Sequence, residues 1–222
     1  MLVRDWMTKN VLSLGVNSSV MDAAEILREK NIRQFPVLDP TGKLVGIISD
    51  RDIRDAMPSK FIPGDAVIEK GGGLYTLTAG DIMTLDPVTV TTDTAIDEVS
   101  DILVKYKIGG IPVVDDGQLV GIITQIDVLR FLCSVSGTKQ KGTQLAFRLN
   151  PQSSPLADLL CDLRDMELTF SGVFMASDGD HRNTYIRVDG MGENSVEDVV
   201  DALQIKYQVL FYVNEGITVD VS

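Results

Sequence analysis

A hydroxyl and a carboxylate three residues apart occur twice in this chain, at matching places. Gly46-Ile47-Ile48-Ser49-Asp50-Arg51-Asp52 recurs as Gly121-Ile122-Ile123-Thr124-Gln125-Ile126-Asp127. Each copy runs from an apolar strand into the start of a helix, so Ser/Thr-x-x-Asp reads first as a capping box. The hydroxyl satisfies a free helix amide and the carboxylate faces the positive end of the helix. The same pair also suits recognition. A carboxylate accepts hydrogen bonds from the 2′ and 3′ hydroxyls of a ribose, and the amides at a helix start face a nearby phosphate. The two roles are not exclusive. Duplication at equivalent junctions favours Ser49 with Asp52, and Thr124 with Asp127, as ribose clamps.

Other chemistry has little support. His181, the single histidine, sits in the polar stretch Ser177–Asn183 and has no nitrogen or sulfur neighbours to make a metal site. Cys133 and Cys161 cannot form a CxxC pair and read as two buried reduced thiols. Neither a Gly-x-Ser-x-Gly elbow nor a P-loop lysine is present, and Asp97-Glu98 and Asp115-Asp116 read as surface and turn charges. No catalytic residue, metal or resident cofactor is expected, and the chain reads as a non-enzyme.

Composition narrows the partners. The 222 residues carry 20 Lys+Arg against 32 Asp+Glu, a net charge of −12, which argues against nucleic acid and anionic membranes. Hydrophobic residues at 44% and charged residues at 23% are ordinary globular usage. The start lacks a basic leader before an apolar stretch, and no apolar run is long enough to span a bilayer. A cytoplasmic protein is the expectation.

The elements that position the two clamps form a repeat. Asp5-Trp6-Met7-Thr8 matches Asp81-Ile82-Met83-Thr84, Pro36-Val37 matches Pro112-Val113, and Leu44–Ile48 matches Leu119–Ile123, with one deletion in a turn. Helical spacing predicts a helix from Ser19 to Lys30, capped by Ser18-Ser19, and its counterpart after Thr94 as cap. Short strands follow at Phe35–Leu38 and Ile111–Val114, then turns at Gly42 and Gly117, the second strands, and last helices from Asp50 and Gln125. Each unit is too small to bury a comfortable core alone. Two copies are expected to pack about a pseudo-twofold axis with two equivalent clefts.

Residues 1–57 and 79–135 are thus the repeats. Residues 58–78, with Pro58, Pro63 and Gly71-Gly72-Gly73, are the linker, and 136–142 a polar hinge. In 143–222 the pattern predicts strand Gln144–Leu149, helix Pro155–Met166 capped by Ser154, strand Thr169–Ala176, and a turn over Ser177–Asn183. Strand Thr184–Val188, helix Val196–Tyr207 and strand Val209–Val213 complete a βαββαβ, ferredoxin-like layout. The fold class is α+β.

The Met-Thr start, the apolar-Pro-Val strand and the Gly-x-x-Ser/Thr-x-x-Asp ending, twice in register, resemble the CBS domain. The pair is similar to a Bateman module over about Val3 to Ser134, and the C-terminal segment resembles an ACT domain. The order CBS–CBS–ACT resembles the acetoin-utilisation type. That resemblance implies a regulatory protein binding AMP, ADP, ATP or S-adenosylmethionine in its clefts. Asp52 and Asp127 would hold ribose with Ser49 and Thr124 in support. Phe35-Pro36 and Ile111-Pro112 would frame adenine, and Val11 and Val88 would line the same pockets. It also implies a homodimer, with an enzyme or other protein as the regulated partner.

At the cleft edge Arg33-Gln34 stands where the second repeat has Gly109-Gly110, and Asp50-Arg51 where it has Gln125-Ile126. Arg33 and Arg51 attract phosphate, whereas the glycines leave room without charge, so the clefts are expected to differ in phosphate preference. Arg54 and Arg130 are further phosphate candidates. The ACT-like loop Asn150–Pro155 lacks a glycine for close approach to an amino acid, which favours a ligand-free dimerisation domain. A scaffold with empty clefts that pairs with an enzyme is the alternative reading.

Overall fold

The computed structural model describes residues 1–56, 77–137, 142–150 and 155–221. Residues 57–76, which hold all of the expected 58–78 linker except Leu77 and Thr78, the hinge residues 138–141 and the loop 151–154, with the expected Ser154 cap, lie outside the described residues. Two compact units are present, Met1–Leu129 and Arg130–Ser222.

In the first unit, α1 (Val3–Trp6), β1 (Leu14–Gly15), α2 (Val20–Lys30), β2 (Gln34–Leu38), β3 (Leu44–Ser49) and α3 (Asp50–Ala56) make the first repeat. The second repeat comprises α4 (Ala79–Ile82), β4 (Thr84–Leu85), α5 (Ile96–Tyr106), β5 (Gly110–Asp115), β6 (Gln118–Thr124) and α6 (Gln125–Val135). α2 forms because Val20, Ala23 and Leu27 present one buried stripe, and Ser19 Oγ accepts from the amides of Met21 and Asp22. Its end is fixed by Asn31 in the left-handed conformation, and α5 ends the same way at Lys107. The start of α5 differs from expectation. Its N-cap is Ala95, without a side-chain bond, because Thr94 Oγ1 accepts instead from the Thr91 amide.

The opening of each repeat belongs to the sheet of the other. β1 pairs in parallel with β2, β2 with β3 antiparallel, and β4 from the second repeat pairs antiparallel with β3 through Ile47 and Thr84. Around the β5–β6 hairpin the same positions recur as single bridges, Val90 with Val113 and Thr8 with Ile122. The amides of Val3 and Arg4 donate to the carbonyls of Thr94 and Thr92, as those of Ala79 and Gly80 donate to Ser18 and Val16. Val3 and Ala79 are consequently buried, Ala79 in the first repeat's core with Val20, Phe35, Val37, Ile48 and Ile53. This exchange explains the glycine within each Leu-Val-Gly-Ile-Ile strand. A Cβ on Gly46 would lie 2.5 Å from Met83 Sδ, and one on Gly121 would lie 2.6 Å from Met7 Sδ. The glycines are the seats of the incoming methionines.

The second unit holds β7 (Thr143–Leu149), α7 (Pro155–Asp165), β8 (Thr169–Asp178), β9 (His181–Gly190), α8 (Val196–Gln204), β10 (Gln208–Asn214) and β11 (Ile217–Asp220). Its sheet runs β11-β10-β7-β9-β8, with every neighbouring pair antiparallel. Leu159 and Leu163 of α7 and Val199, Val200 and Leu203 of α8 share one core with Leu145, Phe147, Ile186 and Val188 of the sheet. The turn expected over Ser177–Asn183 is only Gly179-Asp180. Ser177 pairs with Arg182 and Asp178 with His181, because Gly179 at φ 58° lets the hairpin reverse in two residues. His181 therefore begins a strand, and the expected short strand becomes ten residues long. β11 is an addition to the expected order. α8 stops before Tyr207, whose hydroxyl donates to Asp162 Oδ2 on α7 while Lys206 Nζ donates to the same oxygen at 2.8 Å. Both cysteines are exposed rather than buried. No helix among the described residues is long and apolar enough to cross a membrane.

Two stability outcomes follow from these contacts. Gly46→Ala should lower unfolding free energy by about 1–3 kcal/mol through overpacking against Met83, and Met83→Ala in the same chain should return part of it. Denaturant titration of both variants reads this directly, and equal losses with and without Met83 would contradict the seat. The Lys206 ammonium, with the Tyr207 hydroxyl next, holds the Asp162 carboxyl below its ordinary value. A lowered carboxyl contributes stability above its unfolded pKa and loses it as pH falls through the folded value. Asp162→Asn should therefore melt lower than the wild type at neutral pH, with the gap closing on acidification below the ordinary 3.8. Because the group is partly exposed, salt should narrow the gap too.

Candidate functional site

The two Ser/Thr-x-x-Asp motifs stand at the strand-to-helix junctions β3–α3 and β6–α6. Strand alternation and the helix turn that follows bring the first and fourth residues together. The amide and hydroxyl of Ser49 both donate to Asp52 Oδ2 at 2.7 Å, and the Asp52 amide donates back to Ser49 Oγ at 3.3 Å. In the second copy the Thr124 amide and hydroxyl donate to Asp127 Oδ2 at 2.9 and 2.6 Å, and the Asp127 amide returns a bond of 3.4 Å. The capping role is thus real in both copies. It uses one carboxylate oxygen, Oδ2, and has no need of Oδ1. Asp52 is half-buried, whereas Asp127 is 3% exposed.

Backbone bonds lock each junction to the start of the preceding hairpin strand. The Asp50 amide donates to the Arg33 carbonyl at 2.8 Å, and the Gln125 amide to the Gly109 carbonyl at 3.1 Å. Gln34 is the cross-strand partner of Ser49, as Gly110 is of Thr124. Arg33, Gln34, Ser49 and Asp52 therefore gather at one junction, and Gly109, Gly110, Thr124 and Asp127 at its equivalent. Arg33 and Arg51 are exposed at the first junction. Arg54 is not a loose cation there, since its Nη2 pairs with Asp50 Oδ2 at 3.1 Å. That pair offsets the attraction expected from Arg54.

The apolar residues divide into two kinds. Phe35 and Ile111 are 0% exposed, and Phe35 packs into the first repeat's core, so its ring is committed to packing. Pro36 and Pro112 beside them are buried too. Val11 precedes β1, whereas Val88 follows β4, and the two are not structural equivalents. The 76-residue offset that puts Asp5 on Asp81 puts Leu12 on Val88, and these are exposed at 48% and 37%. Leu12 was not among the expected pocket residues, although the repeat offset points to it. Gln34, beside Arg33 at the cleft edge, is a second residue to which the sequence alone assigns no role. Its carboxamide lies against Gly110, so the space expected over that glycine is filled from the first repeat.

Comparison with known proteins agrees with this geometry. The CBS domain model matches residues 3–59 and 79–134, which together make just over half the chain. The L-aspartate semialdehyde sulfurtransferase of Methanocaldococcus jannaschii is 37% identical over 130 residues, covering 58% of this chain but only 23% of that enzyme. Among solved structures, CBSX2 in complex with AMP is 35% identical with a TM-score of 0.50, covering 59% of this chain and 95% of that one. The CBS domain pair of protein MJ0100, in complex with 5-methylthioadenosine and S-adenosyl-L-methionine, is 35% identical with a TM-score of 0.50, covering 63% and 98%. A putative acetoin utilization protein from Vibrio cholerae is 27% identical with a TM-score of 0.51, covering 63% and 95%. With both motifs in register and each repeat completing the other's sheet, the chain belongs to the CBS-domain family as a tandem pair.

Proposed function

We propose that the tandem pair is a regulatory sensor that binds adenosine-containing ligands, with ribose held by Asp52 and Asp127. The observation that carries this reading is the same hydroxyl–carboxylate box at two equivalent strand-to-helix junctions. Each cap uses Oδ2, and a carboxylate carries lone pairs on both oxygens, so it can accept from a ribose diol while the helix start is kept. The adenosine compounds bound by two similar CBS pairs support the same reading. Ser49 and Thr124 orient the carboxylates. The adenine lies near the Phe35-Pro36 and Ile111-Pro112 backbone, with Leu12 and Val88 beside Val11 as apolar cover. Arg33 and Arg51 serve phosphate at the first junction, where the second offers Gly109 and Gly110 instead. The ligand is a signal rather than a cofactor, and the chain itself is not a catalyst. The match to the sulfurtransferase relative leaves most of that enzyme outside the shared region, in keeping with a non-catalytic role for the part it shares with this chain.

The C-terminal unit is, on this reading, an ACT-type, ferredoxin-like dimerisation domain. Its support is the strand order β10-β7-β9-β8 with both helices packed on one face. A homodimer of a cytoplasmic protein would transmit ligand occupancy to a partner enzyme through a change between arrangements of differing ligand affinity.

Isothermal calorimetry with AMP tests the reading. The wild type should bind, and Asp52→Ala and Asp127→Ala should each weaken one site by about tenfold or more, as expected for loss of hydrogen bonds to a charged acceptor. Unchanged affinity in both variants would contradict it.

A further inference from the structure

The repeat offset puts Gln34 on Gly110, and these two equivalent positions meet each other in the structure. A Cβ on Gly110 would stand 1.8 Å from Gln34 Nε2 and 3.0 Å from Gln34 Cδ, while one on Gly109 would stand 3.9 Å from Gln34 Oε1. Residues related by a pseudo-twofold axis touch only where they lie on or beside that axis. There is room at that point for one long side chain, and the chain supplies a glutamine from the first repeat and a glycine from the second. The placement also spans the two boxes. Gln34 is the cross-strand partner of Ser49, and Gly110 is the partner of Thr124. The side chain therefore leaves the backbone beside one hydroxyl–carboxylate pair and ends against the strand beside the other. Its carboxamide takes no side-chain hydrogen bond among the described residues, so a donor and an acceptor are available there.

We propose that Gln34 is a ligand contact shared by the two clefts, and that sharing it makes their filling negatively coupled. This inference rests on the adenosine-binding reading above. One carboxamide can donate through Nε2 to a phosphate or hydroxyl oxygen, or accept a hydroxyl proton at Oε1, in whichever cleft it turns toward. A ligand in the second cleft then binds without that contact or must draw it away from the first. The loss of one hydrogen bond corresponds to a factor of about three to ten in affinity.

The test is calorimetric titration of the full chain with AMP. Asp127→Ala and Asp52→Ala each isolate one cleft and give its separate binding constant. In the wild type the overall two-site constant should fall about three- to tenfold below the product of those two constants. In Gln34→Gly, with the same single-site variants made in that background, the overall constant should equal the product. A wild type whose overall constant equals the product overturns the proposal, as does coupling that persists in Gln34→Gly. Thermal unfolding checks the geometry without ligand. Gly110→Ala should lower Tm in the wild type and lower it less in Gln34→Gly, and equal losses would remove the contact on which the proposal stands. If AMP gives no heat with the wild type, the adenosine reading fails and the coupling fails with it. Binding without coupling overturns the coupling alone.

Discussion

The rest of the first unit depends on an exchange of chain starts. Neither repeat, at roughly 55 residues, buries enough surface to stand alone comfortably. Each therefore completes its sheet with the opening segment of the other, Thr84 on β3 and Thr8 on β6, and plants a methionine over the other's strand glycine. The exchange makes the two repeats a single body. It also brings equivalent strand starts face to face, so that Gln34 reaches Gly110. The two boxes then take equivalent places in the fold but differ in depth, Asp52 being half-buried and Asp127 buried.

At each junction one motif caps a helix, and the proposed function gives it a second task. The Ser/Thr-x-x-Asp box starts a helix, and the same fold of the chain leaves a carboxylate at the mouth of the strand pair. Capping explains why the hydroxyl and carboxylate must be three residues apart. It does not require the second carboxylate oxygen. The surroundings then separate the two copies. An Asp50–Arg54 ion pair and exposed Arg33 and Arg51 mark the first junction, while Gln125, exposed Ile126 and two glycines mark the second. The pair is symmetric in backbone and asymmetric in charge.

Much of this was legible in the sequence wherever a local rule and the repeat pointed the same way. The Ser19 cap, the hairpin strands and both boxes are short-range features, set by spacing that one segment carries alone. What escaped was set by partners distant in the chain. Thr94 looks like a cap but spends its hydroxyl on Thr91, leaving Ala95 at the helix start. The polar stretch around His181 looks like a loop, yet cross-strand pairing carries it as a strand up to a two-residue turn. The strand exchange was hidden because a repeat in sequence does not say which copy its opening segment pairs with. The reach of Gln34 over Gly110 was hidden for the same reason. Only the pseudo-twofold packing brings those two residues together.

The central claim is that a ribose diol is held by the carboxylates of the two capping boxes. A crystal structure of the protein grown with AMP tests it most directly. The account predicts nucleotide at the β3–α3 and β6–α6 junctions, with ribose hydroxyls within hydrogen-bond distance of Asp52 and Asp127 and the Ser49 and Thr124 caps intact. Nucleotide bound away from both carboxylates, or density for solvent alone at both junctions, would contradict it.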